Sequence, residues 1–273
     1  MRGTDMQLRI GINGAAGRMG QRLIALIAAA PDDMRLVAAV EAGVHPLIGR
    51  DAGEVAGAGT LGVLIAASIK ARTKPDVFID FSAPPSTVAL AQACARLLVP
   101  LVVGTTGLTL DQVSILRQTA RKVPCVYAPN MSVGVNVLTK LVREAAAALG
   151  PDFDVEVIEA HHRFKKDAPS GTSIHLAKAA AEGRSLNYEQ AAVHGRHGIT
   201  GERKAEEIGM HAVRAGDIIG EHTVLFGGMG EQVELKHSVH NRDTFARGAL
   251  RAARFVVGRK PALYSMEDVL GMK

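Results

Sequence analysis

Leu8-Arg9-Ile10-Gly11-Ile12-Asn13-Gly14-Ala15-Ala16-Gly17-Arg18-Met19-Gly20 runs from a short apolar stretch through a glycine loop into a helix-forming segment. The apolar residues over 8–13 predict a strand, while Met19, Leu23, Leu26, Ile27 and Ala30 recur on one helical face. Between them, glycines permit a tight turn and let backbone N–H groups approach a pyrophosphate at the positive end of the helix. The spacing is G-x-x-G-x-x-G rather than the commoner G-x-G-x-x-G, so the strand and helix on either side carry the inference. Glu41 ends the next predicted strand, where a carboxylate meets an adenosine ribose. A dinucleotide is therefore expected on Gly14, Ala15, Ala16, Gly17, Arg18, Met19 and Glu41. The competing reading is a purely structural turn beside an exposed Glu.

Outward from this unit, the same grammar repeats. Short β-branched runs over 35–40, 77–81, 101–103 and 125–128 predict strands, with helices over 84–97 and 109–121, and Pro84 and Pro85 suit a helix start. This is an α/β pattern, a doubly wound parallel sheet. After Asn130 the pattern changes to a helix over 133–149, a strand over 154–159, a basic loop and a helix from about 173. Strands over 210–214, 222–226 and 232–238 follow without long helices between them, which predicts a mixed or antiparallel sheet. A helix over 244–257 is expected to return to the first domain. The predicted boundaries are 1–131 with 242–273 for dinucleotide binding, and 132–241 for a smaller α+β substrate domain.

The chain has 273 residues, 47% hydrophobic and 22% charged, a balance that excludes a disordered chain. Twenty-nine glycines against 4% aromatics and no Trp disfavour a β-sandwich or a carbohydrate-stacking platform. Basic residues exceed acidic ones by 32 to 27, and this permits acidic ligands without choosing among them. Arg163-Phe164-Lys165-Lys166, the nearest basic run, is too short and too poor in aromatics for nucleic acid. No apolar run reaches the roughly 18 residues of a membrane span, and residues 1–7 are polar, without the apolar core of a signal peptide. Cys94 and Cys125 sit in apolar stretches and signal neither a disulfide framework nor a zinc site. A cytoplasmic protein, with no membrane or nucleic-acid partner, is expected.

Two further loops fall at carboxyl ends of predicted parallel strands, the rim where open α/β sheets bind ligands. Gly104, Thr105 and Thr106 follow one strand, and Ala128, Pro129, Asn130 and Met131 follow another. Both are expected to flank a nicotinamide ring, although Gly-Thr-Thr-Gly is also a common turn composition.

The densest signal is Glu159-Ala160-His161-His162-Arg163-Phe164-Lys165-Lys166-Asp167-Ala168-Pro169-Ser170-Gly171-Thr172. Adjacent histidines at a strand end point to opposite sides, so one can face a cleft while the other braces it. Lys165 adds a cation, and Ser170, Gly171 and Thr172 open a helix whose N-terminus suits a carboxylate. Together they predict a pocket for a small dianion beside a group that trades protons near neutral pH. A solvated turn with structural histidines is the bland alternative. No metal is expected, because His161 and His162 are adjacent and lack H-E-x-x-H spacing. His194 and His197 read as loop residues, and Arg214 as a possible support for the site.

These motifs, together with Asp80-Phe81-Ser82, Asn130-Met131-Ser132-Val133-Gly134-Val135-Asn136 and Gly220-Glu221-His222-Thr223, resemble the dihydrodipicolinate reductase family over nearly the whole chain. The resemblance implies a Rossmann-like domain that binds NADH or NADPH, a middle domain that binds a small dicarboxylate, and a homotetramer built through its sheet. It implies reduction of 4-hydroxy-tetrahydrodipicolinate, with loss of water, in diaminopimelate and lysine biosynthesis. By the same resemblance His161 is the proton donor and acceptor, Lys165 the second catalytic group, and His162, Gly171 and Thr172 hold substrate carboxylates. Ala42 stands where members favouring NADPH often have Arg, and Ala83 where some carry a basic residue, so NADH is favoured.

Two other readings are weighed. A semialdehyde dehydrogenase needs a nucleophilic Cys, yet Asn130 is followed by Met131 and Ser132. A nicotinamide-sensing DNA-binding protein has no need of a His-Lys-anion pocket.

Overall fold

The computed structural model describes residues 7–69 and 74–272; most of the polar N-terminal stretch lies outside the described residues. In chain order the elements are β1 (Leu8–Asn13), α1 (Arg18–Ala28), β2 (Met34–Val40), α2 (Ala52–Val55), β3 (Ile65–Ala66), β4 (Val77–Asp80), α3 (Pro84–Leu97), β5 (Leu101–Val103), α4 (Leu110–Ala120), β6 (Cys125–Tyr127) and α5 (Val133–Leu149). There follow β7 (Asp154–His161), α6 (Gly171–Gly183), α7 (Tyr188–Ala191), β8 (Ala192–His194), β9 (Ile208–Arg214), β10 (Gly220–Gly227), β11 (Gln232–Val239), α8 (Asp243–Val256), β12 (Leu263–Tyr264) and α9 (Met266–Leu270). Two compact units result, Met1–Ser132 with Asp243–Lys273, and Val133–Arg242.

The first unit is a parallel sheet ordered β12-β6-β5-β4-β1-β2-β3. Because β1 lies between β2 and β4, the strand order reverses there and opens a crevice at the carboxyl ends. One sheet face buries Ile10 and Ile12 against Leu23, Ile24 and Ile27 of α1 and Ala246, Ala249 and Ala253 of α8. The other buries Phe78, Leu101 and Val103 against Leu90, Ala91 and Cys94 of α3 and Leu116 of α4. Each such large side chain contributes about 1.5–3 kcal/mol of burial. The small face of α8 lets it approach closely, since a Cβ on Gly248 would stand 1.8 Å from the Met131 carbonyl oxygen. The sheet gains β3 and β12 beyond the strands read from the sequence, and at two residues each neither has a period to detect. The strand expected to reach residue 81 ends at Asp80.

The second unit holds a mixed sheet, β11-β10-β7-β9-β8. β10 runs antiparallel to β7 and β11, while β9 runs parallel to β7 and β8. Val155, Val157, Val224 and Phe226 pack against Leu138, Val142 and Ala146 of α5 and Leu176 and Ala180 of α6. Ile158 alternates to the opposite side of β7 and is 38% exposed. β7 extends two residues past the predicted end, to His161, and α6 begins at Gly171 rather than near 173.

Candidate active site

The glycine loop of the first unit is built for close backbone approach. Gly14 has φ +76°, and a Cβ there would stand 2.6 Å from the Phe81 carbonyl oxygen. A Cβ on Gly20 would stand 2.1 Å from the Gly14 carbonyl oxygen, so helix and turn pack as only glycine allows. The N–H groups of Gly14 and Ala15 donate to the Val40 carbonyl, at 2.9 and 3.0 Å, which sets the loop over the end of β2. The first α1 hydrogen bond runs from Gln21 N–H to the Gly17 carbonyl at 2.9 Å. Arg18, Met19 and Gly20 therefore present the positive end of the helix, with Gly17 and Arg18 exposed. This cradle fits a pyrophosphate.

Glu41 carries more structure than the sequence reveals. Its Oε2 accepts from Ala16 N–H at 3.1 Å, and its Oε1 from Ala42 N–H at 2.9 Å. The carboxylate is thus fixed at the mouth of a cleft of about 470 Å³ lined by Asn13, Ala42, Ser68, Ser86 and Arg96, among others. Each oxygen keeps a lone pair for a hydroxyl.

The strand-end loops are braced from below by Asp80, fully buried. Its oxygens accept from Asn13 Nδ2 at 2.7 Å, Ser82 Oγ at 2.6 Å, Thr87 Oγ1 at 2.5 Å and Thr105 Oγ1 at 2.8 Å. Thr105 and Met131 are buried, so the backbone is what they offer a ligand, while Thr106 and Pro129 are exposed. Gly104 is small because Phe81 lies on it, 2.4 Å from where a Cβ would be. Ala128 N–H donates to the Val103 carbonyl at 3.1 Å, and Asn130 Oδ1 accepts from Ser132 N–H at 2.9 Å.

In the second unit His161, the Ser170 N–H and Arg214 gather around one carboxylate, Glu159. Glu159 and His161 are two residues apart on β7 and so share the buried face. Glu159 accepts from His161 Nδ1, from Ser170 N–H at 3.1 Å, and from both Nη atoms of Arg214 at 2.9 and 2.7 Å. Burial pushes the Glu159 carboxyl up, but Arg214 and His161 outweigh it and hold it below its ordinary value. Burial lowers His161, and so do the charges of Lys165 and Arg214, against the opposing pull of Glu159. A Cβ on Gly220 would stand 3.1 Å from His161 Nε2, so the glycine keeps that nitrogen uncrowded.

His162 follows directly after β7, its ring 6.2 Å from that of Phe164. Lys165 Nζ donates to Asp167 at 2.9 Å, and that contact draws Asp167 below its usual range. Ser170 caps α6, its Oγ accepting from Ser173 N–H at 3.2 Å, and Gly171 and Thr172 form the first turn. On the far side, Ser170 Oγ meets His222 Nε2 at 3.2 Å. Burial and the nearby His161 lower His222 to about 4, so it is neutral at physiological pH.

Sequence reasoning missed Glu159, Asp80 and His222 as site builders and left Arg214 only as possible support. For Glu159 the signal was its i, i+2 spacing from His161 on a strand, while Asp80 and His222 stand in motifs that carry the family resemblance. His194 is exposed at the end of β8, so its reading as a loop residue moves to a strand end, while His197 lies in an irregular stretch. Cys94 and Cys125 are free and buried, and burial pushes both thiols up, which leaves no activated nucleophile there. Among the described residues no cluster could hold a metal, and no helix is long and apolar enough to cross a membrane.

Comparison with known proteins covers both units. Residues 8–131 match the model for the N-terminus of dihydrodipicolinate reductase, and residues 134–270 the model for its C-terminus. The 4-hydroxy-tetrahydrodipicolinate reductase of Geotalea daltonii is 49% identical over 267 residues, spanning 97% of this chain and 100% of the relative. That of Geobacter sulfurreducens is 48% identical over 266 residues, spanning 97% and 99%. Among solved structures, dipicolinate-bound dihydrodipicolinate reductase from Paenisporosarcina sp. TG-14 has a TM-score of 0.74 at 28% identity, covering 95% of this chain and 98% of that one. GenD2 from gentamicin A biosynthesis, in complex with NAD, shares the fold at a TM-score of 0.58 and 14% identity, covering 100% of this chain and 93% of that one.

Proposed function

The chain belongs to the dihydrodipicolinate reductase family, and from that premise we propose that it reduces 4-hydroxy-tetrahydrodipicolinate with a nicotinamide dinucleotide, with loss of water, in diaminopimelate and lysine biosynthesis. The observation that carries this reading is that His161 and the N-cap of α6 share one buried carboxylate, Glu159. A proton-handling imidazole is thereby tied to a helix terminus suited to a carboxylate.

Gly14 to Met19 cradle the dinucleotide pyrophosphate, Glu41 takes the adenosine ribose, and Gly104 to Thr106 with Ala128 to Met131 take the nicotinamide side. When bound, the nicotinamide supplies the hydride that reduces C4 of the substrate ring. His161 moves the proton at the neighbouring carbon through Nε2. Lys165 anchors a carboxylate and stabilises charge developing on the ring nitrogen, with Asp167 orienting its ammonium. His162, Gly171 and Thr172 hold the carboxylates of the dicarboxylate substrate.

NADH is the favoured cofactor. Glu41 brings negative charge to the ribose, and its neighbour Ala42 is exposed and offers no cation for a 2′-phosphate. We also read the chain as a homotetramer, since Ile158 and Val213, 38% and 46% exposed, lie on the sheet face that α5 and α6 leave open. Its buried free thiols fit a reducing cytoplasm.

The test is a coupled assay in which the unstable substrate is made in situ from pyruvate and aspartate semialdehyde, with NADH and NADPH followed in parallel. Turnover with kcat/KM higher for NADH is expected. Binding of NADH without turnover would overturn the substrate assignment, and light scattering that finds a monomer would remove the tetramer.

A further inference from the structure

We propose that Glu159 and Arg214 are a positioning pair that fixes the tautomer of His161 and, through the same carboxylate, the loop that carries Lys165 and Ser170. This rests on the reading of His161 as the proton-handling group.

Glu159 is completely buried, and an ionised carboxylate there is tolerated only if its lone pairs are answered. Arg214 answers with a two-pronged contact at 2.9 and 2.7 Å, and Ser170 N–H with a third bond at 3.1 Å. The fourth partner is His161 Nδ1. An ionised carboxylate only accepts, so the shared proton lies on Nδ1, and in the neutral ring Nε2 keeps its lone pair. The pair also reaches the loop: Arg214 Nη2 donates to the Asp167 carbonyl at 2.6 Å. Asp167 in turn holds Lys165, so one ion pair spans both chemical groups.

The placement follows from the sheet. β7 and β9 run parallel with His161 paired to Arg214, and Ala215 N–H donates to the His161 carbonyl at 2.9 Å. A guanidinium is long enough to reach back two residues along β7 to Glu159. A lysine would offer one point charge and lose either the carboxylate fork or the Asp167 carbonyl.

Among the described residues, the charged and titratable groups facing His161 are Glu159 on its own strand, Arg214 on β9, Lys165 on the loop and His222 on β10, whose ring centroid is 5.1 Å away. Of these Glu159 alone favours the imidazolium. Removing its charge therefore lowers the pH at which His161 gives up its proton.

The experiment combines nitrogen-15 NMR of histidine-labelled full-length protein with kinetics and dipicolinate binding, using Glu159→Gln, Arg214→Lys and Arg214→Ala, with His161→Gln to assign the resonance. In the unsubstituted protein the neutral His161 is expected to carry its proton on Nδ1; a proton on Nε2 would overturn the proposal without any variant. Glu159→Gln is expected to lose the Nδ1–H form and lower kcat on the order of 10²-fold or more, with a smaller loss of dipicolinate affinity from the loosened loop of Lys165 and Ser170. Its alkaline limb of kcat against pH is expected to move to lower pH. Arg214→Lys should recover part of the kcat that Arg214→Ala loses. Normal kcat and an unmoved pH limb in Glu159→Gln would also refute the pair. If His161→Gln keeps normal turnover, the reading of His161 itself fails, whatever the tautomer, which separates the two failures.

Discussion

Asn13 Nδ2 donates to Asp80 Oδ1 at 2.7 Å and joins the carboxyl ends of the adjacent parallel strands β1 and β4, beneath the glycine loop. The same amide nitrogen lies 3.0 Å from both Ser82 Oγ and Ser86 Oγ. Asp80 also takes Thr87 and Thr105, so one buried carboxylate ties together β1, β4, the start of α3 and the loop after β5. Among the described residues its hydrogen-bond partners are all neutral donors.

Asp80→Ala removes the acceptor shared by the buried Asn13, Thr87 and Thr105 and by Ser82. A loss of roughly 2–5 kcal/mol in unfolding free energy is expected. Urea denaturation measures it, and a loss under about 1 kcal/mol would mean that the network is incidental.

His161→Ala and Lys165→Ala should each lower turnover by about 10²- to 10⁴-fold. Both residues belong to the second unit, and the glycine cradle to the first. NADH titration by fluorescence is therefore expected to give nearly the same Kd in both variants, and near-normal turnover would remove the assigned roles.

Ala42→Arg places a guanidinium beside Glu41 at an exposed position. The ratio of kcat/KM for NADPH over NADH is expected to rise about tenfold, from a contact worth about 1.4 kcal/mol. An unchanged ratio would show that residue 42 does not select the cofactor.

Stability should depend on pH through His222, held neutral at about 4 against an ordinary 6.5. The unfolded chain takes up a proton below 6.5 that the folded protein refuses until about 4, so its stabilisation is complete above 6.5 and falls away as pH drops through that window. The full effect is about 3 kcal/mol. Unfolding free energies at pH 7.5 and 4.5 should differ less in His222→Asn than in the unsubstituted protein. Equal differences would rule out this assignment.

Much of the framework is legible in the chain because its causes are local. β1, α3, β5 and α5 begin and end where period, proline and glycine place them. Elements of two residues, such as β3 and β12, carry no period and are formed only by pairing with a neighbour. β7 outran its predicted end because Ala160 and His161 have no strand preference of their own; pairing with β9 and β10 extends it. That extension matters, since it puts His161 on the face of Glu159.

The sequence by itself determined the kinds of groups present: a glycine loop between strand and helix, a carboxylate after the second strand, and a His-Lys segment leading to a helix N-terminus. Each follows from residues within about one turn or one strand of each other, where backbone geometry links sequence spacing to direction. Only the tertiary structure decided which partner answers which charge. Asn13 and Asp80 are 67 residues apart, Glu159 and Arg214 55, and Ser170 and His222 52. Those meetings depend on the order and register of strands in a sheet, and burial then makes them obligatory, because a charge removed from water must find its partners inside the fold.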